Sequence, residues 1–249
     1  MSRTDPFTRT PGVAGKAYID NGIADEIINN FCNDDSAKYV YKITGLRGSG
    51  KSVEYSKVIR TLKEKKDWLV YPLSASGEVV STLISKLSME KFINSRSTTT
   101  SRSSTTTVSG SSLVVSGNES INISKSSSDN EHFYSEEAIL TKMIETANKK
   151  KYKVLIGIDD ISKTDHTIKL LSMIGSMTLE GLSVYLVVSG LAESIEDLSS
   201  EKSLTFFKRA DTKETGALNQ YDVTYMYEKL LGVEAKEARK QWNFLCLSG

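Results

Sequence analysis

The chain is poor in the residues that mark several protein classes. It has 249 residues with only three prolines, two cysteines and two histidines. Cys32 and Cys246 lie at opposite ends, which argues against a disulfide framework or a structural zinc site. His132 and His166 have no companions at ligand spacing. No apolar run approaches the roughly 18 residues that cross a bilayer, and the start Met1-Ser2-Arg3-Thr4-Asp5-Pro6 lacks a hydrophobic signal core. Charge of one sign is missing too: 32 basic side chains stand against 31 acidic ones. No general field for gripping nucleic acid follows from that balance, so any DNA contact has to be local. These absences predict a cytoplasmic, soluble protein with no membrane partner.

What is abundant is serine and threonine, and mostly in one place. Between Ser95 and Asp129, 20 of 35 residues are Ser or Thr. Such a tract buries too little apolar surface to offset its chain entropy, so it reads as an insertion in a folding unit of roughly 200 residues. Thr105–Val108, Leu113–Val115 and the alternating Ile121 and Ile123 allow a loose β-hairpin inside it.

Outside the tract, short apolar runs alternate with amphipathic ones. Lys38–Ile43, Trp68–Leu73, Val154–Ile158, Val184–Val188 and Leu204–Phe207 read as buried strands. Ile139, Leu140, Met143, Ile144 and Ala147 recur at helical spacing after Ser135-Glu136-Glu137, an N-cap with an acidic first turn, and Ile168–Met177 and Val223–Leu231 repeat the pattern. The alternation predicts an α/β fold: a three-layer sandwich with a mainly parallel central sheet flanked by helices.

The strand Lys38–Ile43 runs into Thr44-Gly45-Leu46-Arg47-Gly48-Ser49-Gly50-Lys51-Ser52, and an amphipathic stretch beginning at Val53 follows. This is G-x-x-x-x-G-K-S between a strand and a helix. A phosphate chain has to be surrounded by backbone N–H groups, which calls for glycines that accept unusual dihedrals and present no Cβ. Lys51 then reaches the terminal phosphates, the helix N-terminus faces the anion, and the Ser52 hydroxyl can ligate Mg²⁺. The nucleotide-binding set is therefore Gly45 to Val53. A second acid is needed for the metal at the end of another strand, and Val154-Leu155-Ile156-Gly157-Ile158-Asp159-Asp160 supplies it. Asp159 would hold Mg²⁺, directly or through water. Asp160 could orient or deprotonate the attacking water. With the metal-binding strand next to the P-loop strand, Ser189 at the end of Leu182–Val188 is a candidate sensor of the γ-phosphate. Arg209, after Phe206-Phe207-Lys208, is a candidate γ-phosphate cation in its own subunit or a neighbour's.

These residues resemble the prokaryotic AAA-type P-loop ATPases related to the origin-recognition and STAND groups. The lead Asp5-Pro6-Phe7-Thr8-Arg9-Thr10-Pro11-Gly12, the motifs Ile43–Ser52 and Ile156–Asp160, Ser74-Ala75-Ser76, and Phe207–Leu218 carry the likeness. The resemblance implies ATP and Mg²⁺ as cofactors, with adenine near Tyr18 and Ile19. It implies a lead segment (1–16), an ATPase core in two parts (17–94 and 130–232) around the insertion (95–129), and the start of a truncated helical lid (233–249). Asp-Asp replaces the usual Asp-Glu, and no winged helix follows, so the expectation is a slow ATPase switch without DNA contact. Its partners would be ATP or ADP and a homo-oligomer or another protein. A non-hydrolysing nucleotide-binding module and a P-loop kinase are the alternatives; for the kinase, the segment between the second strand and Asp159 offers only Arg96 and Arg102 as lid arginines.

Overall fold

The computed structural model describes residues 18–33, 38–93, 112–115, 119–122 and 135–232. Five strands, β1 (Val40–Gly45), β2 (Trp68–Ser74), β5 (Lys153–Asp159), β6 (Val184–Ser189) and β7 (Asp211–Thr215), form one parallel sheet in the order β2-β5-β6-β1-β7. Inside the Ser/Thr-rich tract, β3 (Ser112–Val115) pairs antiparallel with β4 (Glu119–Asn122). The expected Thr105–Val108 run and Ile123 lie outside the described residues.

Helices cover both faces of the sheet, as a buried parallel sheet requires. Side chains two apart on a strand feed one core. Tyr41, Ile43, Leu155, Tyr185 and Val187 pack under α1 (Ile23–Cys32) and α2 (Lys51–Lys63). Their neighbours Val154, Ile156, Leu186 and Val188 pack on the opposite side. That side carries α3 (Val79–Ser88), α4 (Glu136–Lys149), α5 (Asp165–Leu179), α6 (Ala192–Ser199) and α7 (Thr205–Arg209). The last helix among the described residues, α8 (Gln220–Leu231), follows β7 and ends on Gly232 with φ 64°. Helix starts follow local chemistry. The Ser135 hydroxyl accepts from the Ala138 N–H, and Thr164 and Thr167 cap α5 reciprocally.

Two sequence expectations are corrected here. Leu204–Phe207 is not a strand: Leu204 and Phe207 are both fully buried, and a spacing of three is helical, so the segment turns into α7. A buried Lys42 on β1 holds that helix, its Nζ donating to the Phe207 carbonyl at 3.0 Å, and burial lowers the Lys42 pKa. The fifth strand is instead β7, whose Asp-Thr-Lys-Glu-Thr sequence carries no apolar residue. It pairs only with β1, and an edge position with exposed charge tolerates such a strand.

The sheet order also separates the strands carrying the two motifs. β6 lies between β1 and β5, so, against the sequence expectation, the strand that ends in Asp159 is not next to the strand that runs into the Gly-rich loop. The end of β6, with Ser189, therefore sits between the phosphate loop and the acid pair.

Candidate functional site

At the carboxyl edge of the sheet β1 ends in Gly45, and a loop leads to Gly50, which starts α2. Gly48 and Gly50 take φ of 80° and 94°, in the region that favours glycine. Gly45 is required by space: a Cβ there would stand 2.2 Å from Thr215 Oγ1 and 2.7 Å from the Thr215 carbonyl. Thr215, the last residue of β7, donates to the Thr44 carbonyl at 3.0 Å and shares a 2.5 Å hydrogen bond with Ser49 Oγ. The edge strand thus holds the loop from outside. No side chain caps the N-terminus of α2, which leaves its first N–H groups to face the loop's concavity. Lys51 Nζ donates to the Leu46 carbonyl at 2.7 Å, which folds the ammonium over the loop.

The acid pair approaches from β5. Ser52 Oγ donates to Asp159 Oδ1 at 3.2 Å, although 107 residues separate them. Ser189 Oγ donates to the same carboxylate oxygen and accepts from the Asp160 N–H at 3.3 Å. The Asp160 N–H also points at Asp159 Oδ1, at 3.1 Å. Asp160 itself sits at φ 52°, a left-handed conformation that costs a non-glycine residue roughly 1 kcal/mol. The contacts of the Asp160 N–H with Asp159 and Ser189 oppose that strain.

These groups meet in one cleft of about 480 Å³, lined by Arg47, Gly48, Lys51, Ser52, Asp159, Asp160, Ser189 and Leu191. Its volume is within the range of small-molecule sites. Among the described residues no group of three or more His, Cys, Asp or Glu gathers as a metal cage. The Ser52 hydroxyl and the Asp159 carboxylate form instead a two-oxygen donor set. That suits Mg²⁺, which keeps several waters and takes the rest of its shell from phosphate.

Other predicted site residues fall elsewhere. Leu46 is exposed at the loop tip, Ser49 is engaged by Thr215, and Val53 lies half-buried as the third residue of α2. Arg209 is not brought to the cleft. It precedes β7, whose Asp211 pairs with Tyr41, so it lies exposed at the amino edge, the far end of β1. A contact with the γ-phosphate of its own subunit is excluded by that placement. Tyr18 is tied to α2: its hydroxyl donates to buried Glu54 at 2.7 Å, and Glu54 also accepts the Ala24 N–H at 3.0 Å. Burial and the Glu54 carboxylate raise the Tyr18 pKa, so the phenol stays a donor. Lys57, one turn on, pairs with Asp20 and Asp25 at 2.6 and 2.9 Å, and its hydrogen bond holds the Asp20 carboxyl below the usual carboxylate range. Ile19 lies half-buried in the same segment.

Four residues that shape the site escaped sequence reasoning. Thr215 stands in a strand with no apolar signal, Leu191 is a single residue in the link between the end of β6 and α6, and Glu54 looks like any helix-surface acid. Gly157 is the fourth. A Cβ on it would stand 2.5 Å from Ile59 Cδ1 and 2.7 Å from the Tyr55 hydroxyl, so its absence lets α2 lie close on β5. Two residues further along the same strand face, Asp159 meets Ser52. Gly157→Val should therefore lower stability by about 2 kcal/mol through overpacking, moving Tm by about 6 °C in a thermal melt. An unchanged Tm would mean the glycine sets no helix-to-sheet distance.

No protein-family model matches the chain, and no curated protein matches it either. Solved structures do. The Orc1 protein of Aeropyrum pernix in complex with DNA is similar with a TM-score of 0.49 and 11% identity, over 87% of this chain and 50% of that one. Cdc6p of Pyrobaculum aerophilum gives 0.47 and 10% over 88% and 54%. The Aeropyrum pernix Orc2 protein in its ADP form gives 0.47 and 11% over 88% and 57%. The chain spans about half the length of these structures, between 50% and 57%.

Proposed function

We propose that the chain binds Mg²⁺-ATP and hydrolyses it slowly, as a switch whose nucleotide state controls shape or assembly. The observation that carries this reading is the 3.2 Å approach of Ser52 Oγ to Asp159 Oδ1, in the cleft that also holds Lys51 and Asp160. A helix-start hydroxyl and a strand-end carboxylate on one cleft wall are the pair a phosphate-bound Mg²⁺ needs.

In this reading the triphosphate lies along Gly45–Ser52. Lys51 exchanges its bond to the Leu46 carbonyl for phosphate oxygens. Ser52 and Asp159 would hold the metal, which would offset phosphate charge. Asp160 orients the attacking water and takes its proton as the oxygen adds to the γ-phosphorus and the bond to the ADP oxygen breaks. Ser189 fixes the two acids relative to each other, a positioning role in place of direct contact with phosphate. Adenine lies toward Tyr18 and Ile19, which Glu54 secures one turn from Lys51. A neighbouring subunit's Arg209 remains the cation for an assembled form. Hydrolysis is slow because Asp160 is one methylene shorter than a glutamate at that place.

The test is a thermal melt with ATP, ADP and no nucleotide, with and without Mg²⁺, beside an assay of released phosphate. Binding at about 100 Kd stabilises by about 2.7 kcal/mol, a Tm rise of roughly 5–10 °C that should need Mg²⁺ for ATP. Equal stabilisation by ATP and ADP with no phosphate released would make the chain a non-hydrolysing module. Phosphate found only on an added acceptor would make it a kinase.

A further inference from the structure

The opposite edge of the sheet has its own chemistry. α2 ends into Lys63-Glu64-Lys65-Lys66-Asp67 before β2, and α4 ends into Lys149-Lys150-Lys151-Tyr152-Lys153 at the start of β5. The two segments are over 80 residues apart in the chain, yet β2 and β5 are neighbours. Trp68 pairs in register with Lys153, and the Lys153 N–H donates to the Asp67 carbonyl at 2.8 Å. Adjacent strands lie about 4.8 Å apart, so the two turns form one surface. It carries seven lysines against two acids, which leaves the rest of this near-neutral chain net acidic. Lys63, Lys65, Lys66, Lys149, Lys150 and Lys151 are all exposed, and no ion pair among the described residues engages them.

Helix dipoles account for part of this charge only. Lys63 and Lys149 stand in the last turns of α2 and α4, where cations are favourable. Lys65, Lys66, Lys150 and Lys151 lie beyond those turns. Lys151 is also held at φ 67° in a turn that favours glycine. The turn after α5 shows the usual solution. There Gly181, at φ 78°, donates to the Thr178 carbonyl and Leu182 donates to Met177, as Lys151 donates to Asn148 and Tyr152 to Ala147. Same turn, same bonds, but the α4 turn places a lysine where backbone chemistry selects glycine.

We infer that this amino-edge lysine surface binds the phosphate backbone of double-stranded DNA, without reading sequence. The lysines straddle the sheet, from the α2 side to the α4 side, as a strip and not a plane. The next turn along the edge carries Glu180 and no lysine, which bounds the strip. A strip of cations matches a linear polyanion better than a broad anionic membrane. Platforms for stacking unpaired bases are taken up: Tyr152 stacks on Phe92 at 5.1 Å, and Trp68 is buried under Lys153. Contact is thereby left to ammonium groups and phosphates, the sequence-independent mode. The inference is independent of the nucleotide reading, because the two surfaces occupy opposite ends of the sheet.

The test titrates a labelled DNA duplex of about 20 base pairs with the whole chain, followed by anisotropy between about 50 and 200 mM salt. With four to six phosphate contacts, the slope of log K on log salt should be about −4 to −5. The variant Lys65→Ala, Lys66→Ala, Lys150→Ala, Lys151→Gly should bind on the order of 100-fold more weakly at low salt, with a slope smaller by about 3. Lys151→Gly alone should weaken binding while raising Tm by about 2 °C, since it relieves the left-handed lysine. A misfolding effect would weaken binding too but lower Tm, so the sign of the Tm change in this single variant separates binding from stability. Duplex affinity unchanged by the four substitutions, or no duplex binding at all, would overturn the proposal. So would binding to phosphatidylserine vesicles by a chain that leaves the duplex alone.

Discussion

Lys51→Ala should reduce ATP affinity by 100-fold or more, to the limit of a calorimetric titration, while leaving Tm of the free chain nearly unchanged. The two halves of that expectation come from different contacts. Without nucleotide, Lys51 Nζ donates to the Leu46 carbonyl, at a half-exposed position where water can replace the ammonium. Losing that bond leaves no buried charge unpaired, so little stability depends on it. With nucleotide bound, the same ammonium would meet two phosphate groups. Charge-assisted bonds of that kind contribute about 1.5–3 kcal/mol each, and about 3 kcal/mol in all corresponds to roughly 100-fold in Kd. The neighbouring cation Arg47 also lines the cleft, but it lies on the exposed loop, where water screens its charge. ATP binding by Lys51→Ala as tight as wild type would remove the phosphate-loop assignment altogether.

The site's two halves differ in how openly the sequence displays them. Gly45, Gly48, Gly50, Lys51 and Ser52 are contiguous, and their spacing is itself the structural requirement, so the loop and α2 were legible from the residues alone. β1, β5 and β6 were legible for another reason: they are covered on both faces and read as apolar runs. β7 was not, because a strand bonded on one side needs no apolar residues, and its functional atom, Thr215 Oγ1, acts through distance to Gly45 and Ser49. The misreading of Leu204–Phe207 has the same origin, since four residues cannot distinguish a period of two from a period of three. Strand order is less local still. The place of β6 between β1 and β5 decides that Ser189 holds the acid pair, and the pairing of β2 with β5 gathers two lysine runs that a total charge of +1 conceals.

Asp160→Asn should keep ATP affinity within about threefold of wild type and lower turnover by about 100-fold or more, the usual scale for losing a general base. The substitution is well matched to the backbone. Asn tolerates the left-handed region about as well as Asp, so φ 52° can persist, and the N–H bonds to Asp159 and Ser189 do not involve the side chain. What is lost is the negative charge and proton affinity at the place where water would be oriented. Asp160→Ala serves as the contrast. It removes the same carboxylate but places a residue poorly suited to positive φ, so it should lose the turnover and also some stability, on the order of 1 kcal/mol. If both variants lose phosphate release equally while only the alanine lowers Tm, chemistry and strain at Asp160 are separated. Turnover that survives Asp160→Asn would shift the handling of water to Asp159. That carboxylate already accepts hydrogen bonds from Ser52, Ser189 and the Asp160 N–H on one oxygen, Oδ1, and would have to use the other.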